Sequence, residues 1–121
     1  MHQAAQAYGK IAHKVATPRE LEANLLLRAA AQLQTVHDAW ESNKPKLDEA
    51  LTFNRRLWAV FMGSAAEKDN ALPREIRQNI ANLGVFVMNQ TLSLMSEPKP
   101  EKLGILITIN REIATGLLNR P

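Results

Sequence analysis

Residues 45–66, which read PKLDEALTFNRRLWAVFMGSAA, contain the pattern that decides the fold. The residues that define one helix face recur here at alternating intervals of four and three: Leu47, Leu51, Asn54, Trp58, Phe61 and Ala65. Because an α-helix turns by about 100° per residue, these positions share one side, as packing between helices requires. The stretch therefore predicts an amphipathic helix, with Pro45 at its boundary.

Three further segments show the same spacing, and prolines mark where they begin. Residues 17–20 (TPRE) have the sequence of a capping box with a proline at the first helical position. Pro73 and Pro100 each precede a long periodic run. We therefore predict five helices, at Gln3–Val15, Pro18–Ser42, Pro45–Ala66, Pro73–Met95 and Pro100–Asn119.

The fold class predicted from these segments is all-α. Short polar connections at 67–72 and 96–99 should make consecutive helices antiparallel. A chain of 121 residues has the length of one domain, so we predict that residues 1–121 form a single antiparallel bundle of about five helices. Residues 1–16 contain Gly9 and many alanines, so their helix is expected to fray until something packs on it.

The composition excludes several classes of protein. With no cysteine, the chain can form no disulfide, thiol nucleophile or cysteine-based zinc site. No apolar run approaches the ~18 residues that a membrane span needs. Residues 1–4 (MHQA) lack the basic and apolar segments of a signal peptide. We therefore expect a cytoplasmic protein with no membrane span.

The sequence contains no catalytic or metal-binding motif. His2, His13 and His37 are far apart, and none lies four residues from another, the spacing that places two ligands on one helix face. The five glycines are scattered and form no phosphate-binding loop. We expect that the protein is not an enzyme and holds neither metal nor cofactor.

The net charge of +3 and the pI of about 9.5 raise RNA binding as an alternative. The main basic cluster of the helical segments consists of Lys44, Lys46, Arg55 and Arg56. Asp48 and Glu49 dilute this cluster, and the chain has no aromatic RNA-binding motif, zinc finger or basic zipper. A solvated helix surface is the simpler interpretation.

Three runs of consecutive apolar residues give a stronger indication of a binding surface: 25–27 (LLL), 85–88 (VFVM) and 105–107 (ILI). Three consecutive residues cover most of a helix circumference, so one buried stripe cannot hold them. Either such a helix is central in the bundle, or its second face contacts a partner. For the second case we predict a groove of the later helices lined by Phe86, Met88, Leu94, Ile105 and Ile107.

Three amides, Asn54, Gln90 and Asn110, fall on the apolar seams. A buried amide without a partner costs about 1–3 kcal/mol, so each should find a hydrogen bond or open to solvent. One interpretation is that they set the register of the core, and the other is that they line a partner groove.

Two motifs are the most distinctive in the chain: Thr17-Pro18-Arg19-Glu20, and Asn54-Arg55-Arg56-Leu57-Trp58. Together with Ala7-Tyr8, 71–73 (ALP), 80–83 (IANL) and 109–111 (INR), their order and spacing resemble the alphaproteobacterial flagellar biosynthesis regulator family FlaF. The resemblance covers nearly the whole chain. One departure is that the family often has an aromatic residue, commonly Trp, after Leu83, where this chain has Val85-Phe86-Val87.

The resemblance implies a small non-enzymatic protein of the cytoplasm that is needed for flagellin synthesis, flagellin secretion and filament assembly. The family is linked to post-transcriptional control of flagellin together with the regulator FlbT, and to a role as a flagellin-specific secretion chaperone. In that role, apolar anchors would hold an amphipathic helix of monomeric flagellin, and Arg55 and Arg56 would set its register. The alternative is a regulator that binds flagellin mRNA directly or acts through FlbT.

Overall fold

A computed structural model describes residues 17–119, which form helices and no strand. The elements are α1 (Pro18–Asp38), α2 (Trp40–Asn43), a 3-10 turn (Lys44–Lys46), α3 (Leu47–Ala66), α4 (Arg74–Ser96) and α5 (Pro100–Leu118). The prediction of an all-α bundle is confirmed for this part of the chain. The predicted helix Gln3–Val15, and the fraying expected of residues 1–16, lie outside the described residues.

The predicted capping box begins α1. The Thr17 hydroxyl accepts a hydrogen bond from the Glu20 backbone N–H at 3.1 Å, and a Glu20 carboxylate oxygen accepts one from the Thr17 N–H at 3.4 Å. Pro18 occupies the first turn, where its missing N–H removes no helical bond. The sequence prediction of this helix start is confirmed.

The predicted single helix Pro18–Ser42 is wrong at its end, because the backbone breaks at Ala39 (φ −129°, ψ 58°). The predicted start of the next helix at Pro45 is also wrong, since Pro45 lies in the 3-10 turn and α3 begins at Leu47. The Asn43 side chain donates to the Thr35 carbonyl at 3.0 Å and so ties α2 back to the last turn of α1. A short-range side-chain hydrogen bond therefore accompanies the break, and proline spacing does not reveal it.

Contacts between the helices show that neighbours run antiparallel. The Arg28 guanidinium of α1 lies 5.5 Å from the ring centre of Phe53 in α3. Near the other end of α3, Arg77 of α4 donates to the Ala65 carbonyl at 2.8 Å. Lys102 of α5 donates to the Ser93 hydroxyl of α4 at 2.8 Å. The longest interface is between α1 and α5.

A buried hydrogen-bonded chain crosses the centre of the bundle from α3 to α5. Trp58 Nε1 donates to Asn110 Oδ1 at 2.9 Å, and Asn110 Nδ2 donates to Asn54 Oδ1 at 2.7 Å. All three residues are completely buried, and the Trp58 ring meets the Phe61 ring edge-to-face at 6.1 Å. Asn54 Nδ2 has no partner among the described residues. Two of the three seam amides therefore lie in the core, and the half-buried Gln90 donates to the Lys102 carbonyl at 3.2 Å.

We predict that Asn110→Ala lowers the free energy of unfolding by about 2–4 kcal/mol, because it leaves Trp58 Nε1 and Asn54 Oδ1 buried without partners. Urea denaturation of the purified protein measures the change. The matched control is Asn79→Ala on the exposed side of α4, which should change the same free energy by about 0.5 kcal/mol or less. Equal effects of the two variants would contradict the role assigned to the buried chain.

Candidate functional site

Each of the three apolar runs leaves some of its residues exposed. In the run of α4, Val87 is buried and Met88 half-buried, while Val85 and Phe86 are exposed. The other two runs are also divided. In α1, Leu26 is buried between the exposed Leu25 and Leu27, and in α5, Ile105 is exposed next to the buried Leu106 and Ile107. Within residues 17–119 no run belongs to a helix that is surrounded on all sides, so the alternative of a central helix does not apply to this part of the chain.

The apolar surface of α4 continues along the flank that faces α3. Val85, Met88, Leu92 and Met95 recur by three, four and three residues, which is the seam spacing of packed helices. Leu92 is 63% exposed and Met95 is 60% exposed. This row therefore has the spacing of a helix interface, but no helix of residues 17–119 packs over it.

A matching row lies on the side of α3 that faces α4. Its members recur by three and four residues: Thr52, Arg55, Ala59, Met62 and Ala66. Between the rows the backbone of Gly84 lies directly against the Met62 side chain, so close that a Cβ at Gly84 would overlap it. We call the surface between these two rows the α3–α4 groove.

The α3–α4 groove has a cleft at each end. The larger, of about 350 Å³, is lined by Met62, Ala65, Ala66, Arg74, Arg77, Gln78 and Ala81. The smaller, of about 80 Å³, is lined by Asp48, Leu51, Thr52, Arg55, Thr91 and Met95. The Arg77 guanidinium is held by the Ala65 and Glu67 carbonyls, each at 2.8 Å, whereas Arg55 and Arg74 are exposed. The groove therefore combines a floor that contains methionine side chains with Arg74 at one end and Arg55, beside Asp48, at the other.

The opposite flank of α4 faces α5 and carries a second apolar surface. Phe86 is 42% exposed and Ile105 is 46% exposed, and Leu83, Ile109 and Ile113 pack beside them half-buried against the core. Helix α4 has a shorter interface with α5 than with α3, which leaves these side chains partly uncovered. We call this surface the α4–α5 face.

The structure separates the residues that the sequence predicts to bind a partner. Met88 and Arg55 belong to the α3–α4 groove, Phe86 and Ile105 to the α4–α5 face, and the exposed Arg56 to neither. The remaining two need correction, because Leu94 is fully buried and Ile107 is 96% buried, so they are core residues and line no surface groove.

The wrong assignment of Leu94 and Ile107 has a simple geometric cause. A run of apolar residues covers every side of a helix, so some of its members must face inward, and the run does not say which. Leu94 continues the buried seam of Ile80 and Val87 at intervals of seven, which is the signal that could have excluded it. The same period links Val85 to Leu92 and Met88 to Met95, and the sequence analysis missed Val85, Leu92 and Met95 as candidates.

The basic cluster of the sequence does not form one surface. Lys44 pairs with Glu41 at 3.6 Å, and its ammonium lies 5.8 Å from the Trp40 ring centre. Lys46 lines a cleft between α1 and α3, whereas Arg55 lies in the α3–α4 groove. The cations therefore face different sides of the bundle.

A further cleft, of about 510 Å³, lies where α1 begins and α5 ends. Its lining includes Thr17, Arg19, Glu22, Leu72 and Leu117. Partial burial raises the pKa of the Glu22 carboxyl, and the positive charge of Arg19 opposes that shift. Glu20 also lines this cleft, and its carboxylate accepts the capping-box hydrogen bond from the Thr17 N–H.

Two negative findings apply to residues 17–119. No three His, Asp or Glu side chains in this range are grouped closely enough to hold a metal ion. None of the helices described there is sufficiently long and apolar to cross a membrane. His37 contacts the Asp38 carboxylate at 3.2 Å, and the other two histidines precede the described range.

We predict that the close contact between Gly84 and Met62 limits substitution at this point of the groove. Gly63→Ala, whose new Cβ would meet nothing within 4 Å, should raise the free energy of unfolding by about 0.5–1 kcal/mol through helix propensity. Gly84→Ala should lack this gain, because its Cβ would overlap Met62. Urea denaturation of both variants tests the comparison, and an equal gain would disprove the contact.

The described part of the chain is therefore an all-α bundle with a groove between two antiparallel helices, and methionine side chains line that groove. Comparison with protein families gives the particular family. The chain matches the family model described as flagellar protein FlaF over residues 4–117. It therefore belongs to the FlaF family, and the resemblance predicted from the sequence motifs is confirmed. Searches of curated proteins and of solved structures gave no match.

Proposed function

We propose that this FlaF-family protein is a non-enzymatic chaperone and regulator of flagellin in the cytoplasm, and that it holds an amphipathic helix of monomeric, unpolymerised flagellin in the α3–α4 groove. The observation that carries the proposal is the uncovered row Val85, Met88, Leu92 and Met95, which has the spacing of a helix interface. Family membership supplies the link to the flagellum.

The energetics of the groove suit a transient complex. Burying a fully exposed apolar side chain contributes about 1.5–3 kcal/mol, and the side chains of this row are already partly covered, so the gain is of the same order as the entropic cost of association and favours a weak complex. Three of the chain's four methionines, Met62, Met88 and Met95, lie on or beside the groove. Methionine side chains adapt to differently shaped partners, which suits a chaperone that must later release its client.

Three features favour the α3–α4 groove over the α4–α5 face. The groove has periodic rows on both of its helices, whereas the α4–α5 face has its anchors Phe86 and Ile105 next to side chains already half-buried. The groove also has clefts at both ends that can receive side chains of a bound helix. Arg55 and Arg74 are placed to pair with acidic residues at the ends of that helix.

The regulatory role fits the same groove. A chaperone occupied by unexported flagellin and free after export reports the amount of flagellin that awaits secretion. Such a signal can reach translation through FlbT without contact between this chain and RNA. The separation of Lys44, Lys46 and Arg55 on different sides of the bundle favours this indirect route.

We predict that Leu92→Asp weakens binding to purified monomeric flagellin at least about 30-fold, because it places a charge in the middle of the apolar row. Isothermal titration at moderate salt measures the affinity. Leu92 is 63% exposed, so the variant should fold normally. Leu27→Asp, an identical change at an exposed position of α1, is the control and should bind as the unchanged protein does.

Two outcomes would contradict the proposal. If Phe86→Asp abolishes binding while Leu92→Asp does not, flagellin binds the α4–α5 face and the groove assignment is wrong. If the unchanged protein forms no complex with unpolymerised flagellin, the chaperone role itself is wrong. Binding to the flagellin mRNA leader that falls steeply with rising salt would instead favour direct RNA recognition.

A further inference from the structure

A third apolar surface lies on the other side of α3, where α3 meets α1. Leu21 and Leu25 of α1 are exposed there, and Val60 of α3 is 69% exposed beside the half-buried Leu57. At the end of this surface away from Leu21, the Arg28 guanidinium lies over the Phe53 ring. We call this surface, formed by Leu21, Leu25, Arg28, Phe53, Leu57 and Val60, the α1–α3 face. No described residue covers its exposed members.

We propose that residues 1–16 of the same chain dock on the α1–α3 face as an amphipathic helix. This segment joins α1 at Thr17, one turn before Leu21, so it is tethered next to the face. Its apolar residues Ala4, Tyr8, Ile11 and Val15 recur by four, three and four, which places them on one side of a helix. Gln6, Lys10, His13 and Lys14 fall on the other sides.

The start of α1 directs the chain toward this face. In a helix that begins with a capping box, an apolar residue just before the cap commonly packs against the fourth helical residue and sets the angle at which the chain enters. Here the residue before the cap is Ala16, and the fourth helical residue is Leu21. Because Leu21 is a member of the α1–α3 face, a contact of this kind between Ala16 and Leu21 would lead residues 1–15 onto it.

The apolar row of residues 1–16 and the apolar row of the α1–α3 face have the same length. Val15 and Tyr8 are seven residues apart, as are Leu21 and Arg28, and seven residues span about 10.5 Å in a helix. Antiparallel to α1, the segment places Val15 at Leu21 and Val60, Ile11 at Leu25 and Leu57, and Tyr8 at Arg28. A tyrosine ring is a favourable neighbour for a guanidinium that already lies over a phenylalanine ring.

This inference is independent of the proposed function, because the α1–α3 face and the α3–α4 groove lie on opposite flanks of α3. When residues 1–16 cover the α1–α3 face, the apolar residues of α3 that remain accessible are those on the side of the α3–α4 groove. Failure of flagellin binding would therefore not affect the docking of residues 1–16, and loss of that docking would not affect the groove.

The absence of cysteine makes disulfide trapping a direct test in the full-length protein. Ile11→Cys combined with Leu25→Cys should form an intramolecular disulfide under mild oxidation, because docking brings the two Cα atoms within about 7 Å. His13→Cys combined with Leu25→Cys is the matched control, since position 13 points away from the apolar side of the segment. We expect at least about ten-fold more intramolecular disulfide in the first pair, measured by mass spectrometry.

Each other outcome overturns the proposal. Equal disulfide formation in the two pairs, or none in either, means that residues 1–16 do not dock on this face. Disulfides mainly between chains mean that a second copy covers it.

Hydrogen exchange gives a second readout without cysteines. In the unchanged protein the amides of residues 4–15 should be protected, and Val60→Asp should remove that protection while α5 keeps its own. Val60 is largely exposed, so this substitution should leave the bundle folded. Unaltered protection of residues 4–15 in the variant would also overturn the inference.

Discussion

The hydrogen bond from Trp58 to Asn110, continued to Asn54, is the interaction on which the rest of the bundle depends. It joins α3 and α5 through polar atoms that water does not reach, so sliding either helix by one turn would leave several buried groups without partners. An apolar contact between two leucines tolerates such a shift. The polar chain therefore sets the register of α3 and α5, against which α1 and α4 pack.

The position of α4 follows from this register and explains the candidate site. Gly84 allows α4 to approach Met62 of α3 closely, whereas its interface with α5 is short and is held near Ser93 and Gln90 by Lys102. One stripe of α4 suffices for these contacts, and its other apolar residues remain at the surface. The groove and the α4–α5 face are thus consequences of a helix that is more apolar than its place in the bundle requires.

The three apolar surfaces have different relations to function. In our proposals the α3–α4 groove holds a helix from another protein, and the α1–α3 face, which lies beside the start of α1, holds residues 1–16. Sequence reasoning recognised the excess of apolar residues but placed Leu94 and Ile107 among the binding candidates, although they are buried. It could not assign sides within a run, because each side of α4 carries an apolar residue and only its neighbours decide which are covered.

The sequence by itself determined the helical class, the capped start at Thr17, the connections near Pro73 and Pro100, and the family. These depend on local propensities and on periodicity, which short segments contain in full. The break at Ala39, which a local Asn43–Thr35 hydrogen bond accompanies, was visible only in the structure. The tertiary structure alone decided the pairing of Asn54 with Asn110 and the separation of Met88 and Arg55 from Phe86 and Ile105. Each of these depends on residues far apart in the chain, and only packing brings such residues together.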